Sequence, residues 1–319
     1  MPVFEMPLEE LRRYQGINPK PEDFEEYWQR ALGELKGRDE EIELIPAEFQ
    51  SAAAECFDLY FSGVGGARIH AKYLRPKAAA KPHPALLLFH GYTMNSGNWQ
   101  DKLSFVSQGF SVAALDCRGQ GGLSEDKGGV VGPTQRGHII RGLDDHSDKL
   151  LFRQIFLDTV QLARIVMGFE EVDAARVATH GGSQGGALSL VCASLEPRIK
   201  ACSTAFPFLC DYRRVWEMDL AEGAYEELKI YFRLFDPTHA REQEIFRTLG
   251  YIDVQNLVPR IEADVLMGTA LMDQICPPST QFAAYNKIRS SKEMILYPDF
   301  GHEELPGFMD RVFAFLSRL

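Results

Sequence analysis

One short segment, residues 176–187, constrains the fold of this chain more than any other. Residues 177–180 contain two β-branched side chains and predict a buried strand, and residues 187–193 predict a helix. Residues 181–185 join them and read Gly-Gly-Ser-Gln-Gly, a G-x-S-x-G sequence. Between a strand and a helix this pattern is typical of a nucleophile elbow, whose tight turn exposes the serine hydroxyl. A glycine-rich loop of another α/β protein could contain the same five residues. Residues elsewhere in the chain must therefore distinguish a nucleophile elbow from such a loop.

Composition excludes several classes of protein. The chain has 319 residues, enough for one large α/β domain or two small ones, and its net charge of −11 argues against nucleic acid as a partner. Six scattered cysteines show no C-x-x-C spacing, so neither a disulfide framework nor a metal site is expected. No apolar run is long enough to span a bilayer. The first ten residues lack a signal-peptide pattern, which predicts a cytoplasmic protein.

The sequence pattern predicts antiparallel strands at the start of the chain and parallel strands after them. Residues 55–61 and 67–74 are strand-like and are separated by a glycine-rich segment, so we expect the sheet to open with antiparallel strands. Later strands alternate with helical patterns, which predicts a mostly parallel central sheet with helices on both faces. The predicted strands outside the hairpin and the elbow are residues 41–49, 85–89, 111–116, 199–205, 263–268 and 293–297.

Three segments depart from this alternation, although residues 1–319 are predicted to form a single domain. Residues 1–40 are polar with helical spacing and predict an arm that packs on the main body or on a neighbouring subunit. Residues 207–252 contain three helical patterns without an intervening strand, which predicts an inserted helical cap. Residues 118–147 form a long charged loop, and loops of this length are usually functional or form interfaces.

A catalytic triad is predicted from residues that follow three strands. Parallel sheets collect functional groups beyond the carboxyl ends of their strands. Ser183, Asp273 and His302 each come directly after a predicted strand, in the Ser…Asp…His order of an α/β-hydrolase. In these roles Ser183 is the nucleophile, His302 the general base and Asp273 the residue that orients the imidazole. The competing candidates are Asp299 for the acid and His90 for the base.

Two backbone N–H groups are candidates for an oxyanion hole. One belongs to Gln184, which follows the nucleophile, and the other to Tyr92 in the loop after residues 85–89. His90 precedes this loop, and we expect it to shape the turn.

Aromatic side chains near these loops are candidates for an acyl pocket. We expect Tyr92, Pro207 and Phe208 to wall it, with Phe206 as a further candidate. Ordinary packing is the alternative for all of them, and we favour it for Trp99.

Five segments together resemble one family. R-G-Q at 118–120, G-x-S-Q-G at 181–185 and H-E at 302–303 are similar to the signatures of carbohydrate esterase family seven, and residues 90–92 and 271–280 look similar too. These proteins are acetyl xylan esterases and cephalosporin C deacetylases, and they have the α/β-hydrolase fold. The resemblance covers nearly the whole chain.

The resemblance implies a serine esterase that removes acetyl groups from small acetylated carbohydrates, such as xylo-oligosaccharides, or from cephalosporin C-like acetates. The reaction would proceed through an acetyl-serine intermediate and would need no metal or cofactor. The resemblance also implies a homo-hexamer, a trimer of dimers whose active sites face an internal cavity. Such a cavity would admit short oligosaccharides and exclude polymeric xylan.

Three polar residues of these signatures leave their roles open. Arg118 and Gln120 could contact substrate, but we favour a structural role in the loops beside the elbow. Glu303 could tune His302, although a hydrogen bond within the turn is the preferred interpretation.

Two other functions fit the same fold. A serine peptidase of the prolyl oligopeptidase type shares this domain, but such enzymes usually carry a propeller domain for which this chain has no room. A non-catalytic α/β-hydrolase that binds a ligand usually lacks a member of the triad, whereas all three candidates are present here.

Overall fold

The computed structural model of the chain describes residues 5–37, 40–129 and 138–319. Parts of the predicted arm (residues 1–4 and 38–39) and of the predicted long loop (residues 130–137) therefore lie outside the described residues. Within the described part, nine strands form a single sheet. The strands are β1 (Glu43–Pro46), β2 (Ala54–Ser62), β3 (Arg68–Pro76), β4 (His83–Phe89), β5 (Ser111–Leu115), β6 (Val172–Gly182), β7 (Ala201–Ala205), β8 (Asp264–Ala270) and β9 (Lys292–Tyr297).

Helices connect and cover these strands. In the described residues they are α1 (Leu8–Leu11), α2 (Phe24–Gly33), α3 (Leu103–Ser107), α4 (Leu151–Met167), α5 (Gln184–Leu195), α6 (Tyr212–Glu217), α7 (Glu226–Phe235), α8 (Glu242–Leu249), α9 (Val254–Leu257), α10 (Pro278–Lys287) and α11 (Phe308–Leu316). Among the described residues, no helix combines the length and the apolar character needed to cross a membrane.

The sheet topology confirms the predicted fold class. The strand order is β1-β2-β3-β5-β4-β6-β7-β8-β9. The first three strands pair antiparallel, as the glycine-rich hairpin predicts, and β3 also pairs antiparallel with β5. All pairs from β5 through β4, β6, β7 and β8 to β9 are parallel. The carboxyl ends of β4 and β6 to β9 therefore lie along one edge of the sheet.

The central strands are buried because helices cover both faces. Successive side chains of a strand point to opposite faces. In β4, Leu87 packs in the cluster that contains α4 and α5, whereas Leu86 packs in the cluster that contains α3 and α11. A strand covered on both sides needs apolar residues at every position, which explains the continuous apolar run at residues 85–89.

The N-terminal segment packs on the main body of the same chain. Trp28 of α2 is fully buried, and its indole N–H donates to the carbonyl oxygen of Tyr251 at 3.0 Å. Tyr27 is also buried and donates its hydroxyl to the carbonyl oxygen of Ser147 at 2.8 Å. These contacts favour the first of the two predicted roles for the arm.

Between β7 and β8 the chain forms helices and no strand. Residues 206–263, all of which are described, contain α6 to α9. Residues 207–252, for which three helical patterns are predicted, contain the helices α6, α7 and α8. α7 has acidic residues in its first turn and an apolar face toward the body of the protein, with Leu228 and Phe232 buried.

Arg118 is a structural residue in this fold. Its side chain is 1% exposed and forms a two-point ion pair with Asp158 of α4, with nitrogen–oxygen distances of 2.7 and 2.6 Å. It also donates to the carbonyl oxygen of Val64 and to Gln154. A charge buried this deeply requires such partners, because removing one of them leaves the other uncompensated. Arg118 therefore ties the loop after β5 to α4 and to the β2–β3 connection.

We predict that Arg118→Met lowers the free energy of unfolding by about 3–5 kcal/mol, because Asp158 stays buried without its ion-pair partner. Urea denaturation followed by tryptophan fluorescence measures the change. The matched control is Arg311→Met, which removes an ion pair with Glu293 in which both side chains are more than half exposed. That change should cost less than about 1 kcal/mol. Equal effects of the two substitutions would contradict the structural role of Arg118.

Candidate active site

Ser183 lies at a sharp turn between β6 and α5. Its backbone has φ 56° and ψ −121°, a conformation that non-glycine residues rarely adopt. The surroundings fix it there, because its N–H donates to the carbonyl oxygen of Ala205 at 3.0 Å and its own carbonyl oxygen accepts from Phe208 N at 3.1 Å. A strained residue held by its neighbours at a strand end is typical of a nucleophile elbow.

The glycines around Ser183 are required by close backbone contacts. A Cβ atom on Gly181 would lie 2.4 Å from the carbonyl carbon of Gly185. A Cβ atom on Gly185 would lie 2.0 Å from the carbonyl oxygen of Phe89, at the end of β4. Both distances are far shorter than any van der Waals contact. The G-x-S-x-G sequence thus allows α5 to begin directly against the neighbouring strand.

The three predicted catalytic side chains form a continuous hydrogen-bonded relay. His302 Nε2 lies 3.0 Å from Ser183 Oγ, and His302 Nδ1 lies 2.8 Å from Asp273 Oδ2. The structure therefore brings together residues from the loops after β6, β8 and β9. This is the geometry in which a histidine removes a proton from a serine hydroxyl while a carboxylate orients its ring.

The carboxylate of Asp273 is held by the backbone of its own loop. The side chain is fully buried, and Oδ1 accepts from the N–H groups of Ile275 and Cys276 at 2.9 and 2.8 Å. Its other oxygen faces His302. The competing acid, Asp299, is exposed to solvent. Because Asp273 already occupies Nδ1 of His302, the geometry favours it over Asp299 as the orienting acid.

His90 does not compete with His302, because backbone groups occupy both of its ring nitrogens. Its Nε2 accepts from Cys117 N at 3.0 Å, so Nδ1 carries the hydrogen and donates to the carbonyl oxygen of Gly91 at 2.8 Å. Burial lowers the pKa of His90, which keeps the ring neutral and preserves this tautomer. The arrangement agrees with the predicted role of His90 in shaping the turn.

The carbonyl group of Gly91 belongs to the same planar peptide as the N–H of Tyr92, one of the two predicted oxyanion donors. This carbonyl oxygen accepts from both His90 Nδ1 and Met94 N. Fixing it therefore also fixes the direction of the Tyr92 N–H on the opposite side of the peptide. The second predicted donor, the N–H of Gln184, is at the first residue of α5, where no acceptor exists within the helix.

Gln120 links the two predicted oxyanion segments. Its Oε1 accepts from Thr93 N at 2.9 Å and from Gln184 Nε2 at 3.0 Å, and its own Nε2 donates to Gln184 Oε1 at 2.8 Å. The side chain thus joins the loop after β4 to the start of α5. This contact supports a structural role for Gln120.

Aromatic residues surround the relay. The ring centroids of Tyr92 and Phe208 are 5.3 Å apart. Phe208 is fully buried, and Pro207 is also buried. The ring of Phe206 lies 4.6 Å from that of His302. Trp99 instead stacks on Phe49 on the α3 side of the sheet, consistent with ordinary packing.

Cys276 also belongs to the site, although no sequence pattern predicts a role for it there. Its thiol is fully buried, and burial raises the pKa of this thiol well above its usual value, with Ser183 nearby. Asp273, Cys276 and His302 offer metal-ligand atoms within 4.8 Å of one another. Both ring nitrogens of His302 and both oxygens of Asp273 already take part in the relay and its supports. That no metal is needed stays a prediction.

Glu303, the last residue of the H-E signature, hydrogen-bonds within its own turn. Its Oε1 accepts from Gly301 N at 3.0 Å, and its N–H donates to the carbonyl oxygen of Gly301 at 3.0 Å. These bonds hold the loop that carries His302, which agrees with the preferred structural interpretation.

Comparison with known proteins identifies relatives over the full length of the chain. A family model described as acetyl xylan esterase (AXE1) matches residues 1–319. The crystal structure of acetyl xylan esterase 1 from Thermoanaerobacterium sp. JW/SL YS485 is 60% identical, with a TM-score of 0.97 over 98% of this chain and 99% of that one. Acetyl xylan esterase from Paenibacillus sp. R4 is 36% identical, with a TM-score of 0.93 over 98% of this chain and 99% of that one.

A longer relative also matches. Acetyl esterase Axe7A from Xylanibacter ruminicola is 28% identical over 286 residues, which are 87% of this chain. The match spans 62% of the length of that protein. The full-length family match and the two structural relatives confirm the family predicted from the five motifs. The chain belongs to the acetyl xylan esterase family, which places it among the carboxylic ester hydrolases.

Proposed function

We propose that this protein removes acetyl groups from small acetylated carbohydrates. The observation that carries the proposal is the relay of Ser183, His302 and Asp273, with its distances of 3.0 and 2.8 Å, in a chain of the acetyl xylan esterase family. The two structural relatives are named as acetyl xylan esterases, and the longer relative is named as an acetyl esterase. These names support an acetyl ester as the substrate.

The first half of the reaction forms an acetyl-serine intermediate. His302 Nε2 removes the proton of Ser183 Oγ while this oxygen attacks the carbonyl carbon of the acetyl group. The carbonyl oxygen becomes an oxyanion, which the N–H groups of Tyr92 and Gln184 stabilise. The C–O bond to the sugar oxygen then breaks, and the proton on His302 passes to this departing oxygen, which becomes the sugar hydroxyl. Asp273 stabilises the imidazolium that exists between these steps.

The second half repeats the chemistry with water. His302 removes a proton from a water molecule, which attacks the acetyl-serine carbonyl. The tetrahedral intermediate collapses, the proton on His302 passes to Ser183 Oγ, and acetic acid leaves and ionises to acetate. Each step uses only the side chains of the relay and two backbone N–H groups.

The family resemblance extends the proposal beyond the chemistry. Xylo-oligosaccharides are the proposed carbohydrate substrates, and cephalosporin C-like acetates present the same acetyl ester. Tyr92, Pro207 and Phe208 are proposed to wall the acyl pocket, which the contact between Tyr92 and Phe208 supports. A hexameric assembly and a cytoplasmic location are part of the same proposal.

We predict that Ser183→Ala abolishes acetate release and labelling by a fluorophosphonate probe, because the attacking oxygen is lost. Losing the nucleophile of such a triad lowers kcat by about 10⁶-fold. The control is Ser203→Ala, which removes a hydroxyl of the neighbouring strand β7 that hydrogen-bonds with His180. A wild-type protein that neither reacts with the probe nor releases acetate would instead be a ligand-binding α/β-hydrolase.

We predict that kcat/KM falls steeply from acetyl to butyryl esters of the same alcohol, because the proposed pocket is small and aromatic. Two added methylenes that do not fit are expected to cost roughly 100-fold. Initial rates on matched p-nitrophenyl esters, with a peptide p-nitroanilide alongside, measure the preference. Equal rates on acetyl and butyryl esters would contradict a small pocket, and faster cleavage of the peptide would indicate a peptidase.

We predict a particle mass in solution of about six times the 35.9 kDa of one chain, measured by light scattering after size-exclusion chromatography. In the same preparation, acetate release per acetyl group should fall as acetylated xylo-oligosaccharides become longer, because a closed assembly excludes long chains. A monomer, or equal rates on short oligosaccharides and polymeric xylan, would contradict the proposed assembly.

A further inference from the structure

A buried glutamate of the inserted helical segment contacts the predicted oxyanion residue. Glu227 lies in the first turn of α7 and is 1% exposed. Its Oε1 accepts a hydrogen bond from the hydroxyl of Tyr92, 135 residues away in the chain. Its Oε2 accepts from Ile139 N at 2.8 Å and from Ile140 N at 3.4 Å. The carboxylate therefore connects three separate segments beside the proposed active site.

The chemistry of these contacts calls for a carboxylate in particular. A glutamate side chain offers two acceptor oxygens, whereas a glutamine offers one acceptor and one donor. All three partners of Glu227 named here are donors. A glutamine that kept both backbone contacts would have to turn its NH₂ group toward Tyr92, and the hydroxyl would then accept, so the charge-assisted bond that Tyr92 donates to the carboxylate would be lost. This requirement lets a nearly isosteric substitution test the function of the carboxylate.

The hydrogen bond to Glu227 holds the hydroxyl end of the Tyr92 side chain, far from its backbone. At the backbone, the peptide that contains the Tyr92 N–H is fixed through the Gly91 carbonyl. At the far end of the side chain, the hydroxyl is held by Glu227 and lies 3.3 Å from His138 Nδ1. Between these ends, the ring packs against Phe208 and His138, each 5.3 Å away between centroids. Residue 92 is thus restrained along its full length.

We propose that Glu227 is a positioning residue for the esterase reaction, which anchors Tyr92 so that its N–H points at the developing oxyanion. Helix α7 thereby becomes part of the catalytic apparatus. The proposal rests on the proposed function, because it concerns the oxyanion hole of that reaction. Precise placement matters, since removal of one oxyanion donor costs about 10²- to 10³-fold in kcat. A donor that remains present but is less well aimed should cost a smaller factor.

The test compares Glu227→Gln and Tyr92→Phe with the wild-type protein on one acetyl ester. Both substitutions remove the hydrogen bond that Tyr92 donates to a carboxylate, and both leave the Tyr92 N–H in place. We expect each to lower kcat by roughly tenfold, with KM changed by less than about threefold, because the oxyanion exists only in the transition state. Binding of a boronic acid that forms a tetrahedral adduct with Ser183 should weaken by the same factor as kcat/KM.

The matched control is Tyr231→Phe. Tyr231 is a buried tyrosine of the same helix, and its hydroxyl donates to a carboxylate oxygen of Asp144 at 2.7 Å. The control thus removes a comparable tyrosine–carboxylate bond that does not involve Tyr92. Thermal unfolding of all variants shows how much each loses in stability. We expect Tyr231→Phe to lower the melting temperature with kcat at 25 °C unchanged.

The double variant Tyr92→Phe/Glu227→Gln completes the cycle. Because both changes remove the same hydrogen bond from Tyr92 to a carboxylate, its loss of kcat should match that of the more impaired single variant. Losses that multiply would overturn the proposal, as would a Tyr92→Phe or Glu227→Gln variant with wild-type kcat and boronic acid affinity. These failures would leave the proposed function intact if Ser183→Ala remains inactive. Acetate release by Ser183→Ala would overturn the proposed function itself.

Discussion

The close approach of the elbow to the end of β4 determines the rest of the site. Gly185 leaves no room for a side chain because the carbonyl oxygen of Phe89 lies where a Cβ atom would be. This contact places the first turn of α5 against the loop that begins at His90. The N–H of Gln184 and the N–H of Tyr92 come from these two segments. One backbone contact therefore brings both proposed oxyanion donors to the same place.

The surrounding side chains stabilise this arrangement at several levels. Gln120 hydrogen-bonds to both segments, and His90 fixes the peptide that precedes Tyr92. Farther away, the ion pair of Arg118 with Asp158 holds the loop that carries Gln120. A buried polar group without its hydrogen-bond partner raises the free energy of the folded state. Each of these bonds therefore favours one arrangement of the groups that it joins. The proposed oxyanion hole, which would aim N–H groups at a transient charge, would benefit from such rigid support.

Sheet topology explains why the three proposed catalytic residues meet. β6, β7, β8 and β9 are neighbours and parallel, so the loops after β6, β8 and β9 leave the same edge. Ser183, Asp273 and His302 are distant in the chain but belong to these three loops. The loop after β7 contributes Phe206, whose ring packs on His302. The helices between β7 and β8 supply Glu227, whose carboxylate accepts from the hydroxyl of Tyr92.

The sequence alone determined the strands, the elbow and the family. Alternating or continuous apolar residues indicate which strand positions are buried. The glycines around Ser183 indicate a close backbone contact that few other residues permit. Only the tertiary structure decided that Gln120 bridges two loops, that Cys276 lies beside Ser183, and that Glu227 binds Tyr92. These contacts join residues that are far apart in the chain. The sequence around a polar residue of a helix does not indicate which distant residue it will bind. Burial of a charge becomes visible only when the chain has folded around it.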